Sequence, residues 1–373
     1  MKHSILSVLV FLILSYGCQA ATVNNVPELL DGDLTTSYIG NKGKNQLVFD
    51  VFFNTPVLSY SLYSADDLPV YDPSDWELKG SDDGEKWTTV DKRKNQIFCS
   101  RFQEVTYMVQ NPQTFKIYKL EVTAFKKGIL KISEVVLSDK NLLAGWENFN
   151  YPNVRFESLN PDTEGSKLYL KLVQDPNEYI KYHARKVAEI LYYSTDDPIN
   201  EVRNIRYTLE DKEGISAKGG NTPNIHIFYS TRHIENSAKE SLYKMDFETR
   251  GVLYHELTHG YQYEPKGCGN YGNNKTFWAC IEGIADAVRA EAGYFDMSTR
   301  RPGGNWLDGY RTTGFFIQWM KTKDPNAIRK FHHTAAELEV WSFDAAVKSV
   351  FGPEASIEGM WDEYQQFLIN DKE

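Results

Sequence analysis

The chain has 373 residues, of which 41% are hydrophobic and 25% charged, and its net charge is −10. That length accommodates two or three domains, and the composition is ordinary for a globular protein. The acidic balance argues against a nucleic-acid partner, which wants a basic face, and against electrostatic adhesion to an anionic membrane.

The first segment reads as a targeting signal. Lys2 and His3 form a short positive region, and Ile5 to Leu14 is an apolar run too short to span a bilayer as a stable helix. Residues 1–20 are therefore expected to be a signal peptide. Cys18-Gln19-Ala20 before Ala21 resembles a small-residue cleavage site. Gly17-Cys18 resembles a loose lipobox, with Ser15 where an aliphatic residue usually stands, and a lone cysteine there has little other use. The lipoprotein reading, with Cys18 acylated, is favoured. Either route takes the mature protein out of the cytoplasm, as a bacterial surface lipoprotein or as a secreted or periplasmic protein. Membrane attachment is expected only through such an anchor.

Residues 22–140 read as all-β. Leu47 to Phe53, Leu58 to Tyr63 and Lys116 to Thr123 are strand-like, and Asn54-Thr55-Pro56, Asp82-Asp83-Gly84 and Asn111-Pro112 punctuate them as turns. Several short strands without helical periodicity predict a β-sandwich. A boundary falls near Lys140 to Pro152, where Gly, Asn and Pro gather. Tyr151 to Asp175 reads as entry strands of the next domain. From there the period changes. Glu178 to Tyr193 has apolar residues at helical spacing, Asn204 to Leu209 and Asn224 to Ser230 read as strands, and Asp246 to Tyr263 and Lys275 to Tyr294 as helices. Arg311 to Thr322, Asn326 to Glu337, Ser342 to Phe351 and Ile357 to Ile369 complete a helical tail. A small sheet followed by helices predicts an α+β domain over residues 150–370.

The chemistry concentrates on two of those helices. His255-Glu256-Leu257-Thr258-His259 is an H-E-x-x-H motif. Its i, i+4 spacing puts both imidazoles on one face, one turn apart, so both can reach one metal ion. Glu256 between them can take a proton from metal-bound water as general base. Two histidines leave a catalytic zinc short of a third protein ligand. The second helix supplies candidates, because Glu282 and Asp286 also stand four residues apart. Of the cysteines after Cys18, Cys99, Cys268 and Cys280 make an odd count. Cys268 and Cys280 flank the loop between the motif helices, where they either pair or remain thiols.

Two family resemblances follow from these residues. Leu29-Leu30-Asp31-Gly32-Asp33-Leu34-Thr35-Thr36, the stretch from Trp76 to Thr88, and Ile132-Ser133-Glu134-Val135-Val136-Leu137 resemble a discoidin domain, the C-type module of coagulation factors V and VIII. The resemblance implies a jelly-roll sandwich over residues 22–140, a glycan or cell-surface ligand held by loops at one end, and a structural Ca²⁺ near Asp31-Gly32-Asp33. Residues 150–370 resemble the basic secretory protein family of plant and bacterial peptidases. The H-E-x-x-H motif carries the match, with Ile281-Glu282-Gly283-Ile284-Ala285-Asp286, Trp306-Leu307-Asp308-Gly309-Tyr310 and Met360-Trp361-Asp362-Glu363-Tyr364. That resemblance implies a zincin-like domain, a Zn²⁺ cofactor and a protein or glycoprotein substrate, although this chain is acidic where the family name says basic.

The spacing to Glu282 also looks like that of thermolysin-like gluzincins. Their pattern implies His255, His259 and Glu282 as zinc ligands, with Asp286 holding His255 from behind. The reverse assignment, with Asp286 on the metal, stays open, and Glu264 is an outside candidate. Hydrolysis also needs a donor for the developing oxyanion. A downstream tyrosine serves related aminopeptidases, which implies Tyr310. His332 and His333 are alternatives, although a solvated helix end suits them better, and His226 and His233 read as structural. A peptide substrate would add as a strand to a sheet edge. Asn224 to Tyr229 or Gly214 to Ala217 is expected to provide that edge, with Gly219-Gly220 as the turn between them. The alternatives to an exported zinc peptidase are a surface-binding protein with a non-catalytic zincin domain and a zinc hydrolase acting on glycopeptides.

Overall fold

The computed structural model describes residues 22–23, 27–40 and 45–370. Cys18 and the segment read as a signal lie outside the described residues. Among those described, no helix is long and apolar enough to cross a membrane. The chain divides into two compact units. The first runs to Ala144 and takes in Leu170–Pro176 and Ser241–Asp246, and the second holds the remainder.

The first unit is an antiparallel sandwich. Its strands are β1 (Thr22–Val23), β2 (Tyr38–Gly40), β3 (Asn45–Asp50), β4 (Ser59–Tyr63), β5 (Asp75–Ser81), β6 (Thr88–Arg93), β7 (Glu104–Met108), β8 (Ile117–Ala124), β9 (Leu130–Ile132) and β10 (Glu134–Ser138). One sheet has the order β1-β3-β8-β5-β6, a second β10-β4-β7, and β2 pairs with β9. Period-two alternation sends Leu47 and Phe49, Trp76 and Leu78, and Leu120 and Val122 into one core. The core's polar atoms are paired. Trp76 Nε1 on the larger sheet donates to Tyr60 Oη on the smaller at 2.8 Å, and Tyr60 Oη donates to Asp91 at 2.6 Å. The Asp31-Gly32-Asp33 turn is tied to β10 by Gly32 N–H donating to Glu134 Oε1 at 2.8 Å.

The second unit is α+β. Its strands are β11 (Asn153–Ser158), β12 (Asn204–Glu210), β13 (Ser216–Asn221) and β14 (Asn224–Ser230), in the order β11-β12-β14-β13. The first three neighbours run parallel, and β13 is an antiparallel edge. Its helices, of which the first, second and fourth have an end in the first unit, are α1 (Glu164–Leu172), α2 (Pro176–Leu191), α3 (Thr231–Ala238), α4 (Leu242–Tyr261), α5 (Lys275–Glu291), α6 (Tyr310–Trp319), α7 (Ala327–Glu337), α8 (Phe343–Phe351) and α9 (Ile357–Asn370). Ile205, Tyr207 and Leu209 with Ile225, Ile227 and Tyr229 form the buried face of the sheet.

Three local expectations are corrected. Tyr151 to Asp175 contains one strand and then α1, because Asn160 to Thr163 turns the chain and the Thr163 hydroxyl accepts from Ser166 N–H, starting a helix. Gly219-Gly220 continues β13, and the hairpin instead turns at Thr222-Pro223. The Asn224 to Ser230 strand is interior, so β13 alone of that pair is an edge.

Candidate metal centre

α4 and α5 are buried on nearly every side around the motif. Ionisable groups on such helices must find partners, since an unpaired buried charge costs several kcal/mol. Asn274 caps α5 by accepting from Phe277 N–H at 3.0 Å, which fixes where the second helix begins. α6 then packs against α5 through two glycines. A Cβ on Gly283 would lie 2.4 Å from Thr313 Cγ2, and one on Gly314 would lie 2.7 Å from Asp286 Cβ. This close approach brings the start of α6 to the motif.

The structure brings His255, His259 and Glu282 together. His255 Nε2 lies 3.1 Å from His259 Nε2 and 3.2 Å from Glu282 Oε2, and His259 Nε2 lies 3.7 Å from that oxygen. A tetrahedral ion with donors at about 2.0–2.1 Å sets those donors roughly 3.4 Å apart. Glu282 is buried, yet its Oε2 has no hydrogen-bond partner. A buried carboxylate oxygen left bare beside two imidazole nitrogens fits a cation, and among the described residues this is the one such group of His, Cys, Asp and Glu.

Asp286 lies behind His255, its Oδ1 2.7 Å from Nδ1. This fixes Nδ1 as the protonated nitrogen and leaves Nε2 for a metal. On His259 the equivalent place is taken by Gln262, whose Nε2 is 2.8 Å from Nδ1. A metal on His259 Nε2 would put the proton on Nδ1, and turning the amide over would then bring Gln262 Oε1, which has no partner as it stands, to accept it. Sequence reading did not single out Gln262, although it falls three residues after the second histidine. Glu264 is exposed at the rim and does not join the cluster.

Electrostatics follow the same geometry. Burial opposes a charge on His255, but the Asp286 and Glu282 carboxylates beside it override burial and push the imidazole up. Burial, with the charge on His255 beside it, drives His259 down. Burial raises Glu282, and the two histidines more than offset this and hold it below the usual carboxylate range. Glu256 is pushed up by burial, against the pull of His255, the Ser216 hydroxyl and the Lys218 backbone N–H. Those last two groups belong to β13. Ser230 N–H donates to Ile215 O at 2.9 Å, so the pairing alternation turns the N–H and C=O groups of Ser216 and Lys218 to the open side. The edge strand therefore looks directly onto Glu256.

A cleft of about 840 Å³ contains the cluster, with Ile215 to Lys218 on one wall and Tyr271 and Tyr310 on another. The Tyr310 ring stacks over His255, centroids 6.0 Å apart and planes 16° apart, and packs edge-on to Trp278. Its backbone is left-handed, with φ +40°, directly after Gly309 at φ +67°. A non-glycine residue held there is strained, and α5 holds it, since Gly309 backs onto Trp278. Burial and the nearby Glu282 charge raise the Tyr310 pKa, so the phenol keeps its proton near neutrality. Tyr271, half-exposed on the loop between α4 and α5, donates to Glu282 Oε1. No periodic signal marks it; only its place between the two motif helices does.

The other histidines weighed as candidates lie elsewhere. His332 is buried, not at a solvated helix end. It accepts from Tyr263 N–H at 2.8 Å through Nε2, and its Nδ1 is 3.1 Å from Leu191 O. Burial and the neighbouring His333 hold its pKa down at about 3. A depressed folded pKa means stability is complete above the unfolded value of about 6.5 and drains away as pH falls towards 3. Unfolding free energies from urea titrations should therefore drop between pH 7 and pH 4, by a few kcal/mol from this group. His332→Gln should be less stable at pH 7 yet show a shallower pH slope over that interval; an unchanged slope would remove His332 as a source. His226 pairs with Thr208 on the sheet, 2.9 Å away, and His233 stands near Glu248. Cys99, Cys268 and Cys280 are all thiols, so the Cys268–Cys280 bridge does not form in this structure.

A helical His-Glu cluster beside an antiparallel sheet edge defines the second unit as an α+β domain with a candidate metal centre. Residues 151–364, more than half the chain, match the profile of a family described as "Peptidase of plants and bacteria". The chain belongs to that family. It is also 32% identical over 108 residues to a peptide-N(4)-(N-acetyl-beta-glucosaminyl)asparagine amidase of Arabidopsis thaliana. The match covers 26% of this chain, which spans 15% of that amidase's length. Solved structures similar to the chain include a family 32 carbohydrate-binding module from Clostridium perfringens in complex with galactose. Its identity is 13%, with 31% of this chain and 90% of that chain covered and a TM-score of 0.27. A family 32 module from Streptococcus pneumoniae is 13% identical, covering 32% and 96% with a TM-score of 0.28. An F5/8 type C domain from Bacteroides fragilis is 12% identical, covering 32% and 89% with a TM-score of 0.28. The sandwich assignment rests on the strand topology itself.

Proposed function

We propose that the protein is an exported zinc-dependent peptidase, brought to glycans or glycosylated surfaces by its first unit. The observation that carries the reading is the convergence of His255 Nε2, His259 Nε2 and the unpartnered Glu282 Oε2 next to a buried Glu256. His255, His259 and Glu282 would hold the ion, Asp286 and Gln262 would orient the two imidazoles, and the chain's family membership supports hydrolysis of peptide bonds. A Zn²⁺ held there would supply an acidified water and polarise the scissile carbonyl. Glu256 would take a proton from the water as its oxygen bonds to the carbonyl carbon and hand it to the amine as the C–N bond breaks. Tyr310 donates to the oxyanion that develops on the carbonyl. β13 pairs with the substrate backbone through the outward N–H and C=O of Ser216 and the outward C=O of Lys218, which aligns the peptide over Glu256.

The test is zinc content of the purified protein with cleavage of casein and of a mucin. About one zinc per chain and cleavage of either supports the reading; zinc-free protein that still cleaves contradicts it. A second reading, hydrolysis within glycopeptides, is favoured by the partial likeness to an amidase whose name specifies glycosylated asparagine. Mass spectrometry of the mucin products separates them, because a cut backbone and a released glycan differ. A glycan array probed with the full chain tests the first unit.

We also propose that a structural Ca²⁺ sits at Asp31-Gly32-Asp33. Burial and the adjacent Asp31 push Glu134 up to about 8, so two carboxyl groups are crowded there. At pH 8, added Ca²⁺ should raise the first unit's melting temperature and Mg²⁺ should not; equal curves would remove the ion from this turn.

A further inference from the structure

Glu282 offers two oxygens, and the number that reach the ion decides how the centre works. One oxygen with two imidazoles leaves a fourth place for water, whereas both oxygens would crowd that place. In the structure the two oxygens are already distinguished. Oε1 accepts the Tyr271 hydroxyl, while Oε2 is bare and faces the imidazole nitrogens. Tyr271 is 48% exposed although the carboxylate it binds is only 3% exposed, so a surface loop reaches into the centre. That loop is shaped for the reach. Gly267 and Gly269 adopt φ +70° and +90°, and Asn270 and Asn273 cross-link it, with Gly272 N–H on Asn270 Oδ1 and Asn270 N–H on Asn273 Oδ1, both at 3.0 Å.

We infer that Tyr271 is a positioning residue that occupies Glu282 Oε1 and so confines the carboxylate to one-oxygen coordination, keeping the water's place open. The inference rests on the metal centre proposed above. It separates the duties of two neighbouring tyrosines. Tyr271 has committed its proton to the ligand, whereas the Tyr310 ring stacks over His255. Tyr271 does not touch the substrate in this account; it acts through Glu282.

The test uses the full chain loaded with Co²⁺ in place of zinc, as wild type and as Tyr271→Phe. Cobalt's visible absorption is strong at four-coordinate sites and weak at five-coordinate ones. Wild type should show the strong band, and the variant should lose roughly half of it or more as the second oxygen enters. Zinc affinity of the variant should also change, by about 10- to 100-fold, as for other residues that orient a ligand. A hydroxyl deleted from an exposed loop would move neither quantity if Tyr271 only packed there. Superimposable cobalt spectra of the two loaded proteins overturn the inference and leave the metal centre standing. Wild type that takes up neither cobalt nor zinc overturns the metal centre itself, and this inference with it.

Discussion

Glu256→Gln should retain one zinc per chain and lose about 10²–10⁴-fold in kcat, the range for a positioned general base. The amide keeps the shape and can still accept the Lys218 N–H that reaches the native carboxylate, so the fold and β13 should not move. What it lacks is a basic oxygen. Zinc analysis, a thermal melt and casein kinetics on the two proteins check this. Equal cleavage would take Glu256 out of the reaction, and loss of zinc would show that it had been a ligand.

The second large effect separates Glu282 from Asp286. Glu282→Ala should abolish tight zinc binding, since it removes one of three donor atoms. Asp286→Asn should weaken it by about 10- to 100-fold, because the amide still reaches His255 but orients the ring less well. Competition with a coloured zinc chelator measures both. The opposite order, with Asp286→Asn losing zinc and Glu282→Ala keeping it, would exchange the two roles. The 2.7 Å contact between Asp286 and His255 Nδ1 argues against that exchange, because a carboxylate facing Nδ1 lies on the far side of the ring from Nε2.

The motif was legible because helical spacing is a property of sequence. Once α4 and α5 are helices, His255 and His259 must share a face, and so must Glu282 and Asp286. What pairs those faces is tertiary. Gly283 lies in a stretch that carries the family match and Gly314 in none, and neither announces a helix contact, yet their missing side chains let α6 bring Tyr310 over His255. Tyr271 and Gln262 lie beyond a periodic reading for the same reason, as does the approach of Ser216 and Lys218 to Glu256. The edge was half legible. Gly219-Gly220 suggested a turn on local propensity, but pairing with β14 extends the strand through them, and proline at 223 takes the bend. α1 was hidden because its buried residues, including Tyr169 and Leu172, suit a strand as well as a helix. The stretch from Trp76 carried the discoidin likeness and was not read as a strand, although its inward and outward residues alternate up to Gly80 in the structure.

Anomalous X-ray scattering measured on either side of the zinc absorption edge, on crystals grown with zinc, tests the metal centre without recourse to any substrate. One peak should appear at the edge, equidistant within error from the two imidazole nitrogens of α4 and the bare carboxylate oxygen of α5. A zinc peak elsewhere in the second unit, or none on zinc-saturated crystals, would contradict the account.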